Sequence, residues 1–206
     1  MGAHVLTTLL DHDRLVFRQK SKVVELTNEY QVLSEDGTEV GYVRQEGQRN
    51  LKKALRLVSS LDQFLTHRLG VTDASGERVI TLVRPAKFMK SRVQVLDAQG
   101  DLVGEIIQRN VFGKVRFGLM SPMGAELGEI RAENWRAWNF SIVDTTDREV
   151  ARITKTWEGL LRTAFTTADH YLLKVDPSLR GPLRTMALAA AVGVDTALKQ
   201  DSRGLG

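Results

Sequence analysis

The feature that most restricts what this chain can fold into is a short unit that recurs along it. Tyr30–Val43 reads Tyr-Gln-Val-Leu-Ser-Glu-Asp-Gly-Thr-Glu-Val-Gly-Tyr-Val, and Val93–Ile106 repeats it closely as Val-Gln-Val-Leu-Asp-Ala-Gln-Gly-Asp-Leu-Val-Gly-Glu-Ile. Looser copies begin at Val71, Phe117 and Phe140. Each copy is an alternating run, a turn rich in Asp, Gly or Thr, and a second run, which is the signature of a β-hairpin. The turn positions Gly76, Gly100, Gly124 and Asp147 are spaced 24, 24 and 23 residues apart. Five hairpins supply ten strands, and Leu15–Lys20 and His170–Val175 read as two more.

The second strand of four copies carries a small residue four positions past the turn: Gly41, Gly104, Gly128 or Ala151. Two residues later, on the same face, stand Val43, Ile106, Ile130 and Ile153, while Tyr42, Glu105, Glu129 and Arg152 between them favour water. The small and β-branched residues therefore face inward, and the inward face leaves room at one level.

Two segments break the alternation. Asn50–His67 places Leu51, Leu55, Val58, Leu61 and Leu65 at helical spacing beside Lys52, Lys53 and Arg56, which predicts a short amphipathic connector. Gly181–Lys199 contains Pro182, suited to a first helical turn, and the apolar run Met186–Val194. That run is nine residues, far below the about 20 needed to span a bilayer. An apolar helix without a polar face is a buried one. Ala187, Ala189, Ala190, Ala191 and Gly193 make it slim enough to sit inside a barrel walled by Gly41, Gly104 and Gly128. The expected fold is mainly β (α+β): a closed 12-stranded antiparallel barrel, strands over 15–176, around a hydrophobic C-terminal α-helix over 181–199. The 206 residues are read as one domain, with 1–12 and 200–206 peripheral.

Zero cysteines exclude disulfides, thiol catalysis and cysteine-bound zinc. The first residues show no basic region followed by an apolar run, so no secretory signal is expected, and Leu6 stands where a myristoylation signal has Ser or Thr. A net charge of +4 permits an anionic partner without demanding one.

Ile153-Thr-Lys155-Thr-Trp157-Glu-Gly159, followed by Phe165-Thr166-Thr-Ala168-Asp169, resembles the segment of phospholipid scramblases that reads Lys-x-Trp-x-Gly and then Phe-Thr-Asp-Ala-Asp. Upstream, Phe17-Arg-Gln-Lys, Asn28-Glu-Tyr30, Asp36-Gly37 and Gly41 look like the opening of bacterial scramblase-like and plant LURP-one-related proteins. Order and spacing agree from Leu15 to Lys199. The resemblance implies the tubby C-terminal-like fold, a barrel enclosing its C-terminal helix. It also implies association with membranes, through phosphoinositide binding in the tubby branch and proposed lipid scrambling in the scramblase branch. Eukaryotic scramblases carry an acidic calcium-binding stretch before the final helix. Here Asp169–Arg180 offers two carboxylates with Lys174 and Arg180 among them, which falls short of the six or more oxygens calcium takes. No cofactor is expected.

Three basic groupings are candidates for lipid headgroups: Arg49, Lys52, Lys53 and Arg56; Arg84, Lys87, Lys90 and Arg92 around Phe88 and Met89; and Arg109, Lys114 and Arg116. In the second, Phe88 and Met89 would enter the interface while the cations hold headgroups. The competing reading is a solvated loop. Trp135, Trp138 and Phe140 beside Arg131 and Arg136 have the chemistry for base stacking, although packing against a neighbouring element is favoured. Trp157 and Phe165 are expected to close one barrel end. His4, His12, His67 and His170 lack metal-ligand spacing, adjacent residues in Asp11-His12-Asp13 point apart, and Asp195 in the final helix should find a partner or reach water. No residue set reads as catalytic or metal-binding. The expectation is a non-enzymatic cytoplasmic barrel, peripheral on the inner face of a bacterial plasma membrane, that binds anionic phospholipid and extends to scrambling if the resemblance carries that far. The rivals are a structural or protein-interaction barrel and, less favoured, a nucleic-acid-binding regulator.

Overall fold

A computed structural model describes residues 8–19, 29–46, 67–84, 92–110, 115–134, 139–155 and 170–201. Twelve strands among them form one closed barrel in which each pairs antiparallel with the next and the last with the first. They are β1 (Arg14–Gln19), β2 (Glu29–Leu33), β3 (Glu39–Glu46), β4 (His67–Asp73), β5 (Arg78–Arg84), β6 (Arg92–Leu96), β7 (Leu102–Gln108), β8 (Arg116–Met120), β9 (Glu126–Asn134), β10 (Asn139–Asp144), β11 (Glu149–Thr154) and β12 (His170–Val175). Among the described residues a single α-helix, α1 (Pro182–Asp201), follows, and a 3-10 turn (Leu9–Asp11) precedes β1.

The five hairpin turns share one geometry. Ser34, Asp73, Asp97, Ser121 and Asp144 each accept the N–H of the residue three positions on, at 3.0–3.2 Å, and donate their own N–H to the residue four positions on. The fourth residue has positive φ in every turn: Gly37, Gly76, Gly100 and Gly124, and Asp147 at 67°. This is the three-residue hairpin loop, a type I turn closed by a left-handed residue. Where the first residue is Asp, its Oδ1 also accepts backbone N–H groups two and four positions on, as Asp144 does from Thr146 at 2.9 Å and Arg148 at 3.1 Å.

Those hydrogen bonds stabilise the ionised carboxylates. The Thr146 hydroxyl is the main cause that lowers Asp144 from 3.8 to about 2, and the Ser75 hydroxyl lowers Asp73 in the same way. A depressed folded-state value means stability that is present above the unfolded value and lost as pH falls through the folded one. The melting temperature is therefore expected to drop as pH falls from 3.8 towards about 2, and Asp144→Asn should flatten that part of the profile. Superimposable profiles for the two proteins would contradict this.

Each hairpin carries one extra residue just beyond its turn, because the register slips between Val32/Leu33, Val71/Thr72, Val95/Leu96, Leu119/Met120 and Ile142/Val143. The unpaired residues are Val40, Val79, Val103, Leu127 and Val150. Such bulges bend a strand and tighten its twist, which a sheet needs in order to close.

The inward face is as expected: Val43, Ile106, Ile130 and Ile153 are buried, as are Met186–Val192 of α1. A Cβ at Gly104 would come within 3.1 Å of Met186 Sδ, and one at Gly128 within 3.4 Å of Leu183 Cδ1. Those two glycines make room for α1. Gly41 differs, for a Cβ there would lie 3.0 Å from Leu9 of the 3-10 turn. Leu9 is 1% exposed and belongs to the core, so the reading of 1–12 as peripheral fails at this residue. Among the described residues two apolar pieces fill the lumen, not one. At the seam where the barrel closes, Phe17 of β1 sits opposite Tyr171 of β12, their rings stacked at 4.9 Å.

Asp11-His12-Asp13 proves to be part of that closure. Asp11 Oδ2 accepts the Thr8 N–H at 2.8 Å. Arg184 of α1 donates to the His12 carbonyl at 3.0 Å and to Asp13 Oδ1 at 2.8 Å.

Candidate functional site

Next-neighbour antiparallel pairing sorts the ends of every described strand to one of two rims. The five tight turns lie at one rim, together with the start of β1, the end of β12 and the start of α1. The ends of β1, β3, β5, β7, β9 and β11, and the starts of the strands that follow them, lie at the other. Glu46 opposite Arg68 and Arg84 opposite His67 mark that second rim.

In the chain, all three basic groupings stand between or beside strand ends that belong to the second rim. Lys52, Lys53 and Arg56 belong to the connection between β3 and β4, and Lys87, Phe88, Met89 and Lys90 to that between β5 and β6; both lie outside the described residues, as does the amphipathic connector expected over Asn50–His67, apart from His67 itself. Trp135, Trp138, Trp157, Phe165 and the side chain of Asp195 also lie outside them.

Two candidates are described. Arg92 opens β6 on the outer face, its side chain 3.6 Å from Glu105. Arg84 is a correction: it is 9% exposed, which removes it from the surface set. It continues the inward phase of Ile80 and Leu82 along β5, as that strand's last residue. The period of two was legible, but grouping by distance along the chain hid it. Phe140 is likewise an inward core residue, which settles it as packing.

On the outer wall the structure assembles ion pairs that spacing alone did not suggest. Glu129, buried on β9, accepts from Arg131 at 2.7 Å, Arg109 at 3.2 Å and Arg116 at 3.4 Å. Arg109 lies flat across Gly118, where a Cβ would meet its Nε at 2.7 Å, and reaches Glu126 at 2.6 Å. The Glu126 hydrogen bond is the leading cause that raises the Arg109 pKa. Arg78 crosses Gly70 in the same manner to pair with Glu46. Arg152 spans Glu133 at 2.9 Å and Glu149. The third grouping is thereby divided, since Arg109 and Arg116 are held by wall carboxylates and Lys114 lies outside the described residues.

No set of three or more His, Cys, Asp or Glu side chains converges on a metal-sized site among the described residues. Asp176, in the region matching the calcium stretch, accepts from the Ser178 hydroxyl at 2.7 Å and its N–H at 2.8 Å, and that hydroxyl is the main cause lowering its pKa. No helix among the described residues is long and apolar enough to cross a membrane.

Twelve antiparallel strands closed around a C-terminal helix that is buried over Met186–Val192 define a tubby C-terminal-like barrel. The sequence model of the Scramblase family matches residues 2–198, and the chain belongs to that family. The X-ray structure of a protein from Arabidopsis thaliana superposes with a TM-score of 0.51, at 13% identity, covering 94% of this chain and 96% of that one. No curated protein matches it.

Proposed function

We propose that this barrel binds anionic membrane phospholipid peripherally, from the cytoplasmic face, without catalysing a reaction. The observation that carries the reading is that two separate basic groupings, Lys52, Lys53 and Arg56 and then Lys87, Lys90 and Arg92, stand in the chain between β3 and β4 and between β5 and β6, strands whose facing ends share one rim. Cations grouped beside the apolar pair Phe88 and Met89 suit a headgroup layer, each contributing about 1 kcal/mol near an anionic surface. Membership of the Scramblase family supports a lipid partner. Helix insertion plays no part in the reading, because Met186–Val192 fill the barrel. Scrambling, which the family's name describes, needs a polar path across about 30 Å of hydrocarbon and is a separate question for an assay in the same vesicles.

The test is flotation with anionic vesicles of wild type and the Lys87→Ser, Lys90→Ser, Arg92→Ser triple variant. At about 1 kcal/mol per cation, the variant's partition coefficient should fall on the order of a hundredfold at low salt. An unchanged coefficient would overturn the assignment of this grouping. Stable capture of a protein partner with no vesicle binding would favour the interaction-module reading.

A further inference from the structure

The five hairpins are copies of one unit, so each position can be compared across them. On the outer wall, the residue two past the positive-φ position pairs with a residue of the preceding strand: Glu39 with Leu33, Arg78 with Thr72, Glu126 with Met120 and Glu149 with Val143. These four are charged, and a wall neighbour holds each one. Gln31 meets Glu39 at 2.7 Å, Glu46 meets Arg78, Arg109 meets Glu126 at 2.6 Å and Arg152 meets Glu149 at 2.8 Å. In the β6–β7 hairpin the same position is Leu102, and it faces Leu96. The third residue of the turn shows a matching exception. Asp36, Ser75, Gln99 and Thr146 are polar, whereas the β8–β9 turn presents Met123, 96% exposed. The two exceptions are neighbours, because carrying the β7–β8 register on past Glu105↔Met120 brings Leu102 level with Met123. Leu96, Leu102 and Met120 are half-buried and stand outside the core cluster. With Met123 they form an apolar patch on the outer wall at the turn end of β6, β7 and β8.

We infer that this patch docks a protein segment that carries apolar side chains among basic ones. A lone exposed apolar residue is ordinary, but adjacent ones at positions that are polar in the other copies mark a surface built to be covered. Charge selects what covers it. Asp97 and Asp101 flank the patch in the β6–β7 turn, and among the described residues neither pairs with a Lys or Arg. The cations of the same strands are already engaged, Arg92 with Glu105 at 3.6 Å and Arg109 with Glu126. The border is therefore acidic, and it repels an anionic bilayer. Two copies meeting patch to patch about a two-fold axis would set Asp97 and Asp101 close to their own images. A cationic segment instead gains from both carboxylates while its apolar side chains cover Leu96, Leu102, Met120 and Met123. A patch this small suits a transient contact. The inference does not rest on the lipid-binding reading, because every residue it uses lies at the turn end of the barrel, away from the basic groupings.

The probe is a fluorescein-labelled amphipathic peptide of leucine and lysine, and its binding to the full chain is read by fluorescence anisotropy. Two control peptides carry glutamate for lysine or serine for leucine, and neither should bind. Leu102→Glu gives this hairpin the kind of residue that the other four carry, and it should weaken binding of the leucine–lysine peptide about tenfold. Charge alone would act the other way, since an added carboxylate attracts a cationic peptide. Met123→Gln, at an exposed turn tip where folding is not at stake, should weaken binding about fivefold. Asp101→Asn should weaken it about twofold at low salt. Wild-type affinity in both Leu102→Glu and Met123→Gln would overturn the inference, as would equal binding of the glutamate peptide or no binding of the lysine one. Self-association that Met123→Gln abolishes would give the patch to a second copy, and vesicle binding that it abolishes would give it to lipid. Either result overturns a basic protein segment as the occupant.

Discussion

Replacing Arg184 with alanine should lower the unfolding free energy by about 3–5 kcal/mol, the range for stripping one member from a buried charged network. Its side chain is 8% exposed, yet every edge of the guanidinium is used. Nε donates to the Leu10 carbonyl, one terminal nitrogen to the His12 carbonyl at 3.0 Å and Asp13 Oδ1 at 2.8 Å, and the other to the Leu179 carbonyl at 3.2 Å. One side chain thus ties the first turn of α1 to the segment before β1 and to the loop after β12, three pieces that meet where the barrel is closed. Alanine leaves carbonyls without their donor at a partly dehydrated site, and an orphaned buried acceptor costs more than its bond contributed. Arg184→Lys should recover only part of the loss, because a compact ammonium cannot present the planar fork that several separated acceptors require. Urea denaturation monitored by tryptophan emission measures both variants. A midpoint for Arg184→Ala within error of wild type would mean that the network contributes nothing.

Gly104→Val should also destabilise strongly, at or above the upper end of the about 1–3 kcal/mol typical of overpacking. A Cβ at this position runs into the Met120 carbonyl oxygen of the neighbouring strand and lies 3.1 Å from Met186 Sδ on α1. The two obstacles differ in kind. Met186 is a flexible side chain, so Met186→Ala should relieve its share, whereas the Met120 oxygen is backbone fixed by the β7–β8 pairing. The double variant should therefore remain clearly less stable than Met186→Ala alone. Full rescue would show that helix packing, not the strand–strand approach at the bulge, is what requires glycine.

These two sites also mark where sequence pattern ends and three-dimensional placement begins. The turns were legible because their chemistry is local: a residue of positive φ must stand at a fixed position, and Gly76, Gly100, Gly124 and Asp147 do. Face assignment was legible from period two, and the inward set of Val43, Ile106, Ile130 and Ile153 follows it without exception. The slim apolar run Met186–Val192 named its own destination, since nothing else in the chain could cover it.

The bulges were not legible, although Val40, Val79, Val103, Leu127 and Val150 all stand three residues past the positive-φ position. An apolar residue next to an inward glycine reads equally well as an ordinary strand residue facing out. Arg184 was missed because its partners are up to 174 residues away in sequence, and nothing local distinguishes a buried arginine from a solvated one. Leu9 was missed for the same reason, lying outside any repeat. The opposite error befell Arg84, where proximity to Lys87 and Lys90 outweighed a strand phase that pointed it inward. For the basic groupings, the residues were visible one by one. That the strand ends on either side of them share one rim was not, because only the closed order of twelve strands fixes it.

The central claim is that an anionic bilayer surface is the partner, and co-sedimentation with vesicles of graded anionic lipid content at low and physiological salt tests it most directly. The account predicts no binding to purely zwitterionic vesicles, a steep rise with anionic fraction, and a marked loss as salt screens the surface. Binding that is flat across anionic fraction, or absent at every composition, would contradict it.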